Sequence, residues 1–102
     1  MKGKTRQEIE IDFSRAMNQA QELECLAGDL SRIANNRVES ALLVLKNSWR
    51  GDAGESMELV GKKTIEEIFS TADDLIKVAR TIRKTAELIY KAEKSAIGRA
   101  HV

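Results

Sequence analysis

Asn47-Ser48-Trp49-Arg50-Gly51-Asp52-Ala53-Gly54-Glu55 is the stretch of the 102-residue chain where a helix-stop signal and a helix-start signal fall together. Gly51 has no Cβ, so it can take the left-handed conformation that ends a helix. Asp52 follows as a candidate N-cap, with Glu55 three residues on to complete a capping box. The chain contains no Pro, so nothing else forces a long helix to break. One turn, spanning residues 48–52, therefore divides the chain near its midpoint.

Upstream of the turn, helical periodicity begins near Phe13, where Asp12 and Ser14 are both candidate N-caps. Ala16, Ala20, Leu23, Ala27, Leu30 and Ala34 follow at alternating steps of four and three, which is one face of a helix. The stripe continues through Val38, Ala41 and Leu45 after one extra step of four, a stutter that loosens a left-handed supercoil locally. This predicts a first helix over about 13–47. Residues 1–11 are polar, and Glu8-Ile9-Glu10-Ile11-Asp12 alternates as a short extended segment does. They read as a mobile lead-in.

Downstream, Ile65, Ile68, Ala72, Leu75, Ala79, Ile82, Ala86 and Ile89 keep the a/d spacing of a coiled coil without a slip. This predicts a second helix over about 53–98, with flexible residues 99–102 beyond it. Gly61 lies close to the phase of that stripe and allows a close approach of the two helices.

Two long helices joined by one tight turn make an antiparallel hairpin, all-α, in a single domain over 1–102. Its packing seam is predicted at Leu23, Leu30, Leu45, Ile68, Leu75, Ile82 and Ile89. Charge agrees with the fold-back. Residues 8–30 carry Glu8, Glu10, Asp12, Glu22, Glu24 and Asp29 against one Arg15. Residues 77–99 carry Lys77, Arg80, Arg83, Lys84, Lys91, Lys94 and Arg99 against Glu87 and Glu93. Both helices also bear a second apolar flank, with Leu26, Ile33 and Val44 on one and Phe69, Ile76, Val78 and Tyr90 on the other. A lone hairpin keeps too much surface wet for its size. The expectation is therefore a second copy or a related hairpin completing a four-helix bundle.

The composition excludes several functions. Net charge is +1, without the basic excess that counterion release on nucleic acid requires. The basic arm 77–99 lacks the interleaved aromatics that stack bases. The single Cys, Cys25, excludes an internal disulfide or a multi-Cys zinc site and reads as a small, half-buried residue. The single His, His101, lies one residue from the C-terminus. No nucleophile, base and orienting group come together, no Gly-rich loop cradles phosphate, and adjacent carboxylates such as Asp73-Asp74 diverge on a helix. The expectation is a non-enzymatic protein without metal or cofactor. No apolar run is long enough to span a membrane, and the N-terminus lacks an apolar stretch for a cleaved signal. Any exit from the cell is expected by a route that needs none.

Trp49-Arg50-Gly51, set between two long helices of a chain this short, resembles the central Trp-x-Gly of the WXG family, the small early-secreted-antigen-like substrates of bacterial type VII secretion. Length, hairpin periodicity and low aromatic content resemble that family along the whole chain. So does the tail Ala86 to Ile97, which resembles members from Gram-positive bacteria. The resemblance implies a cytoplasmic protein secreted without signal cleavage and recognised by a secretion-system ATPase. It implies a homodimer, or a heterodimer with a related helical protein. The family's export signal is Tyr-x-x-x-Asp/Glu near the C-terminus. Here Tyr90 has Glu93 at the third following position and Lys94 at the fourth, which reverses the expected charge. Tyr90 and Glu93 share a helix face, so Glu93 is the candidate stand-in. The departure opens an alternative, an adaptor that targets an LXG-type toxin, with the signal completed by the complex. A structural coiled-coil adaptor outside secretion has the same periodicity.

Overall fold

The structure, a computed structural model, describes residues 3–48 and 51–100. All regular structure among them is helical: α1 (Arg6–Arg32), a π-helical turn (Ile33–Val38), α2 (Glu39–Ser48) and α3 (Asp52–Ala100). Two long helical arms are thus joined by one short turn, the connection that the stop and start signals predict. Trp49 and Arg50 lie outside the described residues. Gly51 has φ +78, the single positive φ among the described residues, and it sits where an L side chain would be strained. Its carbonyl accepts from the Glu55 amide at 3.2 Å. Gly51 rather than Asp52 therefore holds the cap position, and α3 starts one residue earlier than expected. Asp52 and Glu55 lie in its first turn, where negative charge is favoured by the helix dipole.

The first helix also starts earlier, at Arg6, and residues 6–11 are helical rather than a mobile lead-in. Thr5 is the cause. Its Oγ1 accepts from the Glu8 amide at 3.1 Å, and its carbonyl accepts from the Ile9 amide at 3.1 Å. Thr5 and Glu8 occupy the two positions of a capping-box pattern, and Ile9 is buried one turn later. Asp12 and Ser14 are accordingly interior to α1 and cap nothing.

The stutter at Ala34–Val38 takes the form of the π-helical turn, whose i→i+5 bonding admits one extra residue. That residue rotates the inward face by about 100°. Val38, Leu42 and Leu45 are half-buried as a result, while Ala41, expected in the stripe, is exposed.

The chain divides into two compact units, Met1–Glu24 with Lys77–Val102, and Cys25–Ile76. In the first, the buried apolar residues are Ile9, Ala20, Ala79 and Ala86. In the second they are Ala27, Ala34 and Ala72, joined by the buried Gly54 and Gly61. Ala20, Ala27 and Ala34 recur every seven residues, as do Ala72, Ala79 and Ala86. Their methyl groups lie at the centre of each unit, and no large side chain among the described residues is fully buried. The predicted seam residues Leu23, Leu30, Leu45, Ile68, Leu75 and Ile82 are half-buried beside them, and Ile89 is 50% exposed. Within the second unit the helices approach closely at Gly61, where a Cβ would overlap the Leu42 methyl groups and stand 2.7 Å from Leu42 Cγ.

Candidate functional site

The residue types that bear on function gather in the first unit, where the start of α1 meets the end of α3. The Thr5 cap holds α1 in register from Arg6 onward, so Ile9 and Phe13 share one face and Glu10 lies beside them. On α3, Tyr90, Glu93 and Lys94 occupy positions i, i+3 and i+4.

Phe13 and Tyr90 pack with ring centroids 4.5 Å apart and planes tilted by 39°, within the range of favourable offset aromatic pairs. The Tyr90 hydroxyl donates to Glu10 Oε1 at 2.7 Å. Lys94 Nζ meets the same oxygen at 2.7 Å and stands 4.8 Å from the Tyr90 ring centroid, a cation–π distance. Lys4 Nζ binds Asp12 at 2.8 Å and Glu93 Oε1 at 3.2 Å. Glu93 Oε2 is shielded from solvent and has no hydrogen-bond partner among the described residues. Lys4, Ile9, Asp12, Phe13, Tyr90 and Glu93, with Ala16, Ala86 and Ile89, line a cavity of about 250 Å³.

The charges hold one another in their ionised forms. The hydrogen bond from Lys94, and then that from Tyr90, keeps the Glu10 carboxyl below its ordinary value. Glu10 in turn raises the Lys94 ammonium. Hydrogen bonding to Asp12 and then to Glu93 raises Lys4, and Lys4 lowers Asp12. All four groups are well exposed, so each pair is screened and individually weak.

Tyr90 and Glu93 are therefore brought together on α3, as their spacing predicts, but they do not form a free epitope. Glu93 is bound by Lys4, and the carboxylate on the Tyr90 hydroxyl comes from Glu10 on the other arm. Lys94 is neutralised by that same Glu10. Lys4, Glu10 and Phe13 were not singled out as partners of the tail by local motif reading. Folding the chain back about Gly51 supplies the missing signal, because it sets residue 13 opposite residues 89–90 and residue 10 opposite residues 92–94. The acidic and basic arms do meet here, through Glu10 with Lys94 and through Glu24 with Arg83.

Elsewhere, Glu58 joins Lys46 and Lys62, each at 3.4 Å, and the charge of Lys46 leads in lowering the Glu58 carboxyl. Cys25 is exposed rather than half-buried, and His101 lies outside the described residues. No group of three His, Cys, Asp or Glu side chains among the described residues is placed to hold a metal ion. No described helix is long and apolar enough to cross a membrane. Large apolar side chains remain open to solvent near the turn, with Leu43, Val44, Leu59 and Val60 each 60–70% exposed. Comparison with known protein families, with curated proteins and with solved structures returns no match.

Proposed function

We propose that the chain is a non-enzymatic substrate of the WXG type, exported through type VII secretion, which acts by helix–helix association with a second helical chain. The observation that carries this reading is Gly51. Its φ of +78 makes it the conformational residue of Trp49-Arg50-Gly51, set between two long helical arms. The exposed apolar residues around the turn support association. Patches of this kind on a small protein mark an interaction surface, and a homodimer or heterodimer forming a four-helix bundle covers it. Tyr90 with Glu93 is the address that the secretion ATPase reads.

One observation favours the adaptor reading as the second choice. Tyr90 is packed on Phe13 and tied to Glu10, and Glu93 is held by Lys4, so the pair is not presented by the isolated chain. A partner such as an LXG toxin then completes the signal.

The test is the amount of protein in culture medium for wild type, Tyr90→Ala, Glu93→Ala and Lys94→Glu, each with and without the gene adjacent in the genome. Circular dichroism verifies helicity. A substrate loses export on Tyr90→Ala or Glu93→Ala while remaining helical. An adaptor is exported only with the neighbouring product, and Lys94→Glu relieves that dependence. Export unchanged in every arm contradicts both.

A further inference from the structure

Four contacts within the first unit converge on three side chains of α3, Tyr90, Glu93 and Lys94, and every one comes from the first turns of α1 or the residue just before its cap. Phe13 covers the Tyr90 ring. Glu10 accepts from the Tyr90 hydroxyl at 2.7 Å. Glu10 also pins Lys94, whose ammonium lies over the same ring, 4.8 Å from its centroid. Lys4 reaches Glu93 at 3.2 Å while a second contact to Asp12, at 2.8 Å, holds it on its own arm.

These contacts share a physical character. The Glu10–Lys94 and Lys4–Asp12 pairs are exposed and screened, each contributing little, Glu93 is half-buried, and the aromatic pair is a modest addition. Within residues 4–13 the one buried side chain is Ile9, 2% exposed, which lines the cavity with Ala86, while Ala20 and Ala79 are buried further along the same unit. Lifting the start of α1 from α3 therefore exposes Ile9 as its main cost, while Ala20 and Ala79 stay closed, as helix ends open in local unfolding.

We propose that residues 4–13 form an intramolecular cap over Tyr90 and Glu93, and that a partner reads this pair only when the cap is displaced. The cap stands on the geometry alone. Its role in recognition rests on the export reading above. Glu10 does two things at once in the closed form. It occupies the Tyr90 hydroxyl, and it neutralises Lys94, which otherwise sets a positive charge beside the aromatic ring. A partner carboxylate that replaces Glu10 makes the same two contacts, so an acidic helical segment is the chemistry that displaces the cap.

Tyr90 is the only tyrosine of the chain, so nitration of the full-length protein by tetranitromethane reports on this ring alone. Wild type is compared with Lys4→Ala/Glu10→Ala and with Phe13→Ala, neither of which alters Tyr90, Glu93 or Lys94. Ala keeps the helix intact at positions 10 and 13, Lys4 lies ahead of the helix, and circular dichroism confirms helicity. The exposed Lys4/Glu10 pair serves if Phe13→Ala loosens the fold. Nitration is expected to be slow in wild type and about tenfold faster in the variants, the ratio that ~1.4 kcal/mol of lost closure sets. The variants are also expected to be exported with less dependence on a co-expressed partner. Nitration of folded wild type as fast as in denaturant overturns the cap. Faster nitration without any change in export overturns its role in recognition. Export of none of the forms, with nitration behaving as expected, leaves the cap standing and refutes the secretion reading instead.

Discussion

Replacing Ala79 by Leu tests how the two arms of the first unit meet. Ala79 is 0% exposed, and it lies in the heptad column with Ala72 and Ala86. In a centre built of methyl groups, the three added carbons must crowd the facing arm. Overpacking of this kind costs ~1–3 kcal/mol. Leu and Ala are both strong helix formers, so the change isolates packing from propensity. For a domain of about 100 residues, each kcal/mol moves Tm by about 4–8 °C, so Ala79→Leu should melt about 5–20 °C below wild type. The neighbouring Val78 is 49% exposed, and Val78→Leu should stay within ~0.5 kcal/mol of wild type. The assay is thermal melting followed by circular dichroism at 222 nm, at one fixed protein concentration because association shifts Tm. An Ala79→Leu protein that melts at or above wild type would refute the alanine-column contact.

Three further outcomes follow from individual contacts. Gly61→Ala should gain nothing in urea midpoint despite a propensity advantage of ~1 kcal/mol, because its Cβ meets the Leu42 side chain. In a Leu42→Ala background the same change should recover about that amount, and equal effects in both backgrounds would remove the clash from the account. Thr5→Ala removes the acceptor of the Glu8 amide and should lower stability by ~1 kcal/mol, with faster amide exchange over residues 6–9. Unchanged exchange there would dismiss the cap at Thr5. Glu10, Asp12 and Glu58 have folded values below their unfolded ones. Their contribution is present above about pH 5 and is lost as pH falls through the folded values. Lys4 and Lys94 have folded values above their unfolded ones, so their contribution is present at neutral pH and is lost as pH rises past about 10.4. Tm should therefore show a plateau with a decline at each end, flattened by 1 M salt, and a pH dependence unaffected by salt would contradict it.

The turn was legible in sequence because Gly51 carries its own constraint, a missing Cβ where the backbone needs positive φ. The long stripes were legible because their three-and-four spacing holds over many turns. The start of α1 was not. Glu8-Ile9-Glu10-Ile11 alternates with a period of two, yet Ile9, Phe13, Ala16 and Ala20 also fit a helix face. Such a short segment satisfies both periods, and the Thr5–Glu8 pair was the deciding signal. The extra step after Ala34 located the stutter, but a step of four does not distinguish a slack α-helix from a π turn, so Ala41 was assigned where Leu42 sits. Apolar spacing also marks two adjacent columns without saying which faces the partner arm. The Ala column took the centre, leaving Leu and Ile at the edge. At the candidate site, the Tyr90–Glu93 spacing was readable along one helix. Its contacts with Lys4, Glu10 and Phe13 cross some eighty residues of sequence and follow only once the arms are set in register.

The most direct test of the functional account is the distribution of the untagged chain between cells and medium, in a host that carries a type VII secretion system and in the same host lacking the membrane ATPase of that system. A cytoplasmic enzyme serves as the marker for lysis. The account predicts that the chain appears in the medium of the parent, free of the marker, and stays with the cells when the ATPase is absent. The same distribution in both strains would contradict it.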